Sequence, residues 1–252
     1  MKKTIPYLLT VIFAIAFSLN SCENAFKPID TKFPVIKTET KISVNILNGN
    51  EINKVYYKEY NSNSKIISFV EYNEHGSIIS QSNFEYIKSE KIELKYVFDD
   101  NGVIIRSENN NYTYSVENGN LLKLTKLDNN GKIIATTSYT YDIKGNILKE
   151  FEVSSDSNIT VCTKDFVYNY NVNGSLEGLT IKDAISNTII TKDSINYLTK
   201  TNVLEKYNFD NIGTITKINR FYYNTSGKIS YETESDFNNK ITKKYIYNYT
   251  FF

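Results

Sequence analysis

Alternation dominates the pattern of polar and apolar positions along this chain. In Phe166-Val-Tyr-Asn-Tyr170 and Tyr245-Ile-Tyr-Asn-Tyr-Thr-Phe251 an aromatic recurs at every second position, against Val167, Asn169, Ile246, Asn248 and Thr250. Residues two apart on a strand share a face. Each run therefore predicts a strand with one aromatic face and one mixed or polar face, as in an antiparallel sheet wet on one side. No long stretch keeps a helical period. The chain predicts an all-β fold.

A second pattern punctuates the strands. Tyr139-Thr-Tyr-Asp-Ile-Lys-Gly-Asn-Ile-Leu148 reads aromatic, any residue, aromatic, Asp or Asn, two variable residues, Gly, any residue, Ile or Leu. It returns at Tyr96–Ile104, Tyr168–Leu176, Tyr207–Ile215 and Phe221–Ile229. Asp or Asn can bond the backbone two residues on and start a turn. Gly supplies the positive φ of a short hairpin loop. Eight glycines are predicted to do so: Gly76, Gly102, Gly119, Gly131, Gly145, Gly174, Gly213 and Gly227. The loop at Gly119 reads as one residue shorter than the rest. Degenerate copies place Ser64 and Glu90 where Gly would stand, and further turns are expected near Ser154–Asn158, Asp183–Asn187, Thr199–Asn202 and Asn238–Lys240.

Turns thus come roughly every 13 residues, a strand of ordinary length plus a short loop. The expected architecture is an antiparallel up-and-down meander of on the order of 13–15 strands, since hairpins join sequential neighbours. These would form one large curved sheet that can partly close. Residues 42–252 read as a single β-hairpin repeat domain, with no proline from Val35 onward to interrupt a sheet ladder.

The beginning of the chain has another character. Residues 1–21 carry Lys2 and Lys3, then a mostly apolar core from Ile5 to Leu19. That core is shorter than the ~20 residues of a membrane-spanning helix and suits a signal peptide. It ends in Leu19-Asn20-Ser21-Cys22, which resembles the bacterial lipobox. The resemblance implies cleavage between Ser21 and Cys22 and lipidation of Cys22. Residues 22–41, with Pro28 and Pro34, then read as an extended tether.

Charge and candidate chemistry add few functional classes. Formal net charge is +1, and no basic stripe of the kind nucleic acid requires is present. Cys162 is the one cysteine beyond Cys22, so no disulfide is expected within the mature chain, and its run Ile159-Thr-Val-Cys-Thr163 suggests a buried small hydrophobe. His75, the single histidine, lies in the turn Asn73-Glu-His-Gly76, and no G-x-S-x-G nucleophile motif accompanies it. One His and one Cys do not make a zinc ligand set. The turns Asp99-Asp-Asn-Gly102 and Asp128-Asn-Asn-Gly131 lack the spaced ligands and distal Glu of a calcium loop. No catalytic residue, metal or cofactor is expected.

The aromatic surface remains. The 21 Tyr and 14 Phe could stack on a sugar or fill a protein interface, or serve as cross-strand pairs within the sheet.

The motif at Tyr139–Leu148, with its copies at Tyr96, Tyr168, Tyr207 and Phe221, resembles the YD repeat of Rhs-type bacterial surface proteins. That resemblance covers most of residues 56–252. It implies a curved antiparallel hairpin array that presents a concave face and carries no catalytic residue. The expected function is a lipid-anchored cell-envelope protein, on the outer membrane, with a non-catalytic binding or scaffold role toward an envelope glycan or protein and none toward nucleic acid. The alternatives are a carbohydrate-active enzyme with carboxylates in the sheet's concavity, and an outer-membrane β-barrel, suggested by the aromatic strand ending at Phe252.

Overall fold

Turn chemistry organises the molecule. The computed structural model describes residues 35–47, 49–155, 160–198, 203–210 and 212–252, and nine hairpin turns among them share one hydrogen-bond design. At Asp142 the Gly145 amide donates to the Asp142 carbonyl at 3.0 Å and the Asp142 amide to the Asn146 carbonyl at 2.9 Å. The carboxylate Oδ1 accepts from the amides of Lys144 and Asn146 at 2.8 and 2.9 Å. Asn61, Asn73, Asp99, Asp128, Asn171, Asp210, Asn224 and Asp236 repeat it. These side chains organise their own backbone, which accounts for the Asp-rich turns without a cation.

All eight predicted glycines adopt a left-handed φ, between +72° and +87°. Where Gly is missing, Ser64 (φ 60°) and Asn239 (φ 65°) take its place. The copy assigned to Glu90 differs. Its turn is the two-residue Lys88-Ser89, with Lys88 at φ 54° and Ile87 paired to Glu90, so the chain reverses before Glu90 is reached. The Gly119 loop is longer than the rest, not shorter: it spans Ser115–Asn120, closed by Gly119 N–H to the Ser115 carbonyl at 3.0 Å. Because Asn171 does what Asp142 does, Asp142→Asn is expected to be near neutral, within about 0.5 kcal/mol. Asp142→Ala, which removes both amide bonds and the bond that Oδ2 accepts from Asn146 Nδ2 at 2.8 Å, should cost about 1–2 kcal/mol. Urea-midpoint shifts for the two variants check this, and equal shifts would contradict it.

The turns connect sixteen strands among the described residues: β1 (Ile36–Val44), β2 (Glu51–Tyr60), β3 (Ile66–Tyr72), β4 (Ile78–Ile87), β5 (Glu90–Phe98), β6 (Ile104–Tyr114), β7 (Leu121–Leu127), β8 (Ile133–Tyr141), β9 (Ile147–Ser154), β10 (Thr160–Tyr170), β11 (Leu176–Asp183), β12 (Ile189–Leu198), β13 (Val203–Phe209), β14 (Ile215–Tyr223), β15 (Ile229–Ser235) and β16 (Ile241–Phe251). Each is antiparallel to its neighbours in sequence, and β1 pairs with β16, so the sheet closes completely into a barrel. The Phe252 amide donates to the Val35 carbonyl at 3.1 Å across the seam. Closure removes the two exposed edges an open meander would carry.

Bulges beside the turns help close it. Ile104 and Ile105 both stand opposite Phe98, Ile133 and Ile134 opposite Leu127, and Ile147 and Leu148 opposite Tyr141. One extra residue on one strand bends it and increases its twist. The apolar doublets after the turn glycines are these bulges. Gly178 has a different reason to be Gly: a Cβ there would meet the Asp193 carbonyl at 3.0 Å.

The sheet begins at Ile36, earlier than the expected tether boundary, so residues 36–41 belong to the barrel. Glu39 and Lys41 on β1 bind partners on β2 and β15, and that polar pattern reads as a linker. Residues 1–34, including the signal, Ser21, Cys22 and both tether prolines, lie outside the described residues, as do 156–159 and 199–202 within two of the expected turns.

Candidate functional site in the barrel

Inward-pointing side chains converge on a closed cylinder and outward ones diverge. Where one alternate set of a strand is clearly the more buried it marks the inner wall, and the pairing registers carry that face from strand to strand. On β5 that set is Lys91, Glu93 and Lys95, which are 8%, 1% and 4% exposed, while Leu94 between them is 38% exposed. The inner wall is thus charged. The concavity also lets side chains meet across an intervening strand, as Lys41 on β1 does with Glu232 on β15 at 2.7 Å.

Acids and bases alternate around this wall in pairs. Lys164 meets Glu150 at 2.6 Å, Lys206 meets Asp193 at 2.8 Å, Lys58 meets Glu39 at 3.1 Å and Lys126 meets Glu152 at 3.1 Å. Glu93 accepts from Ser82 Oγ at 2.6 Å, Asn110 Nδ2 at 3.1 Å and the Tyr112 hydroxyl. Burial pushes the Lys91 ammonium down to about 8, and the Glu93 carboxylate opposes that shift. A buried charge is tolerated when paired and hydrogen-bonded. Each of these acids is met by donors, and no group of three or more His, Cys, Asp or Glu side chains converges to hold a metal among the described residues.

The tyrosines occupy the layer beside the charges. At the mouth where the chain enters and leaves the barrel, seven of the eight even-numbered strands end in or within two residues of Tyr60, Tyr86, Tyr114, Tyr141, Tyr170, Tyr223 and Tyr249. Several latch one hairpin to the next. Tyr86 donates to the Ile66 carbonyl at 2.8 Å, Tyr141 to the Leu121 carbonyl at 2.6 Å and Tyr249 to the Ile229 carbonyl at 3.0 Å, each to the first residue of the preceding strand. The next layer holds Tyr56, Tyr112 and Tyr247, whose hydroxyls donate to Glu39, Glu93 and Glu232. Burial raises the phenol pKa of all three, with the neighbouring carboxylate adding to it. These inner-wall tyrosines are built into the wall as much as they line it.

At the opposite mouth β3, β5 and β13 also end in an aromatic followed by Asn or Asp, but there Tyr72, Phe98 and Phe209 alternate out of phase with the inward residues Glu71, Val97 and Asn208. One motif serves both mouths and points its last aromatic inward at one and outward at the other. A cavity of about 400 Å³ at the outward-pointing mouth lies against inner-wall Arg106, Glu108, Asn110 and Lys126 and turn residues Asp128 and Asn129.

The residues singled out from sequence are spread apart. His75 is exposed in its turn, with Nε2 3.7 Å from Glu74. Cys162 lies on β10 in register with Glu152. The eight turn glycines divide between the two mouths. The alternating charges of the inner wall were missed, although Lys91-Ile-Glu-Leu-Lys95 carries the signal: charge at every second position of a strand.

No protein-family profile and no curated protein matches the chain. Among solved structures, the chain is similar over 86% of its length to 98% of a porin-like protein from Bacteroides uniformis, at 12% identity and a TM-score of 0.34. It is similar over 86% of its length to 99% of a porin-like protein from Bacteroides vulgatus, at 10% identity and a TM-score of 0.39. A third similarity pairs 77% of this chain with 14% of a chain in the Photorhabdus luminescens Tc holotoxin pore, at 11% identity and a TM-score of 0.28.

Proposed function

We propose that the protein is a cell-envelope β-barrel, held at a membrane by lipid on Cys22, whose wall stands in water and whose role is non-catalytic binding of an envelope glycan or protein. The composition of the outer wall carries this reading. The outward positions of the strands include Gln81, Asn83, Asn109, Asp165, Arg220 and Lys244, between the inward positions named above. A barrel that crosses a bilayer needs an outward apolar band about 25 Å tall. Charges and amides at these positions interrupt any such band. The acids of the inner wall, each satisfied by a lysine, tyrosine or amide, support a binding role over an acid–base one.

Closure favours a second reading, in which the barrel itself spans the outer membrane. A closed antiparallel sheet leaves no unpaired edge for lipid to meet, and Leu94 and Ile105 contribute exposed aliphatic surface on adjacent strands.

One variant separates the two. Full-length protein carrying Cys22→Ala is expected to lose labelled palmitate and to move from the membrane to the soluble fraction of the envelope, with its β-sheet circular dichroism retained. If the folded variant instead stays with membranes through an alkaline wash, the barrel spans the bilayer and the proposal fails.

A further inference from the structure

The mouth opposite the chain ends carries a cleft that the tyrosine latches do not use. It has a volume of about 600 Å³ and lies where β16, β1, β2 and β3 come together at the rim, within the size range of small-molecule sites. Only barrel closure creates it, because its lining joins residues 43–47 and 52–55 to residues 242–245. Two features of the lining call for an explanation.

The first is exposed apolar surface. The β1–β2 loop and the start of β2 present Ile46, Leu47 and Ile52 at 44%, 96% and 58% exposure. All three line the cleft, together with Val55, Tyr72 and Tyr245. The second is charge. Lys54, Lys243 and Lys244 line it, while Glu74 is the one acid to do so, and the Glu74 side chain is 88% exposed with His75 beside it. Lys243 alternates with Lys244 and faces the inner wall, toward Glu234 at 3.8 Å, which leaves Lys54 and Lys244 on the outward side. Lys54 and Lys244 lie over the rings of Tyr72 and Tyr231, at 5.9 and 5.4 Å. An apolar floor beside a cationic rim matches a molecule with an apolar chain and one anionic end.

We infer that this cleft binds a free, single-chain amphiphilic carboxylate, with its alkyl chain against Ile46, Leu47 and Ile52 and its carboxylate between the outward-facing Lys54 and Lys244. The inference deepens the reading of the barrel as a binding platform in water and rests on it. Burial of alkyl chain contributes about 0.8 kcal/mol per methylene, and the lysines contribute selectivity for the charged end. Exposed aliphatics at the rim become one wall of a site.

The test uses full-length protein in lipid nanodiscs, so that no detergent competes, with laurate displacing a dansyl-labelled fatty acid. Saturable laurate binding is expected, with dodecanol and acetate at least tenfold weaker. Lys54→Glu/Lys244→Glu should weaken laurate at least tenfold and leave dodecanol unchanged, while Ile52→Asp should weaken both. These positions lie at the rim, and an unchanged thermal midpoint confirms that each variant folds. Three results would overturn the inference: laurate binding that does not saturate, dodecanol as tight as laurate, or charge reversal without effect. Empty nanodiscs give the signal from laurate partitioning into lipid, which is subtracted. A laurate result of any sign leaves the Cys22→Ala fractionation independent, so failure of the ligand assignment and failure of the water-exposed barrel are distinguished.

Discussion

Glu93→Ala is expected to destabilise the barrel by about 3–5 kcal/mol, the range for breaking a buried charge network from one side. The Glu93 side chain is the largest of those buried almost completely. Its carboxylate takes hydrogen bonds from Ser82, Asn110 and Tyr112, on the two strands that flank β5. Alanine leaves all three donors without that acceptor and withdraws the negative charge that supports the Lys91 ammonium. It also leaves a cavity, which costs further free energy. Glu93→Gln should fall between wild type and Ala. The amide oxygen still accepts, but the amide nitrogen is a donor set among donors. Urea unfolding with the m-value monitored checks both, and a loss below about 1 kcal/mol for Glu93→Ala would show that the network is not what holds β4, β5 and β6 together.

Alkaline unfolding is the second large effect. Tyr86, Tyr141 and Tyr245 are pushed up to about 12, chiefly by burial, and Tyr56, Tyr112 and Tyr247 are raised further. An unfolded chain releases these phenol protons near pH 10. Between there and the folded values the native barrel holds more protons than the unfolded chain, so stability falls as pH rises. Lys91 acts in the opposite direction, because its folded value of about 8 lies below the ordinary lysine value of 10.5. Over that window the unfolded state binds the extra proton, and stability from this one group rises with pH. One lysine is outweighed by several phenols once pH 10 is passed. The melting temperature should therefore rise modestly between about pH 8 and pH 9.5, then fall by about 10 °C or more by about pH 11.5. Phenolate absorbance should rise in a cooperative step that coincides with loss of the β-sheet signal. A smooth titration of every tyrosine near pH 10, with the sheet intact, would contradict the burial of these hydroxyls.

Much of the wall was legible because its instructions are local. An Asx residue, a left-handed residue three positions on and an apolar doublet define a hairpin and its bulge within one short run, and Ser64 and Asn239 show that the rule outlasts the loss of Gly. Closure was legible only as a tendency, since pairing of β1 with β16 depends on the summed bend of every hairpin. The faces were harder still. On β5 the usual expectation places Ile92 and Leu94 inward and the charges in water, yet Lys91, Glu93 and Lys95 are the buried set. Their partners on β3, β4 and β6 make that arrangement tolerable, and no single strand discloses its partners. The cleft is further from view, since its lysines come from opposite ends of the chain.

The opposed orientation of the turn motif at the two mouths bears on how such a barrel can grow or shrink. Inserting one strand would reverse the direction of every strand after it and bring hairpins shaped for one mouth to the other. Inserting a hairpin of two strands keeps direction, facing and seam, because the new pair supplies one turn to each mouth. Barrel circumference can therefore change in steps of two strands, by gain or loss of whole hairpins, while the tyrosine latches carry over to each new neighbour. A chain built this way can vary the width of its mouth without redesigning its wall.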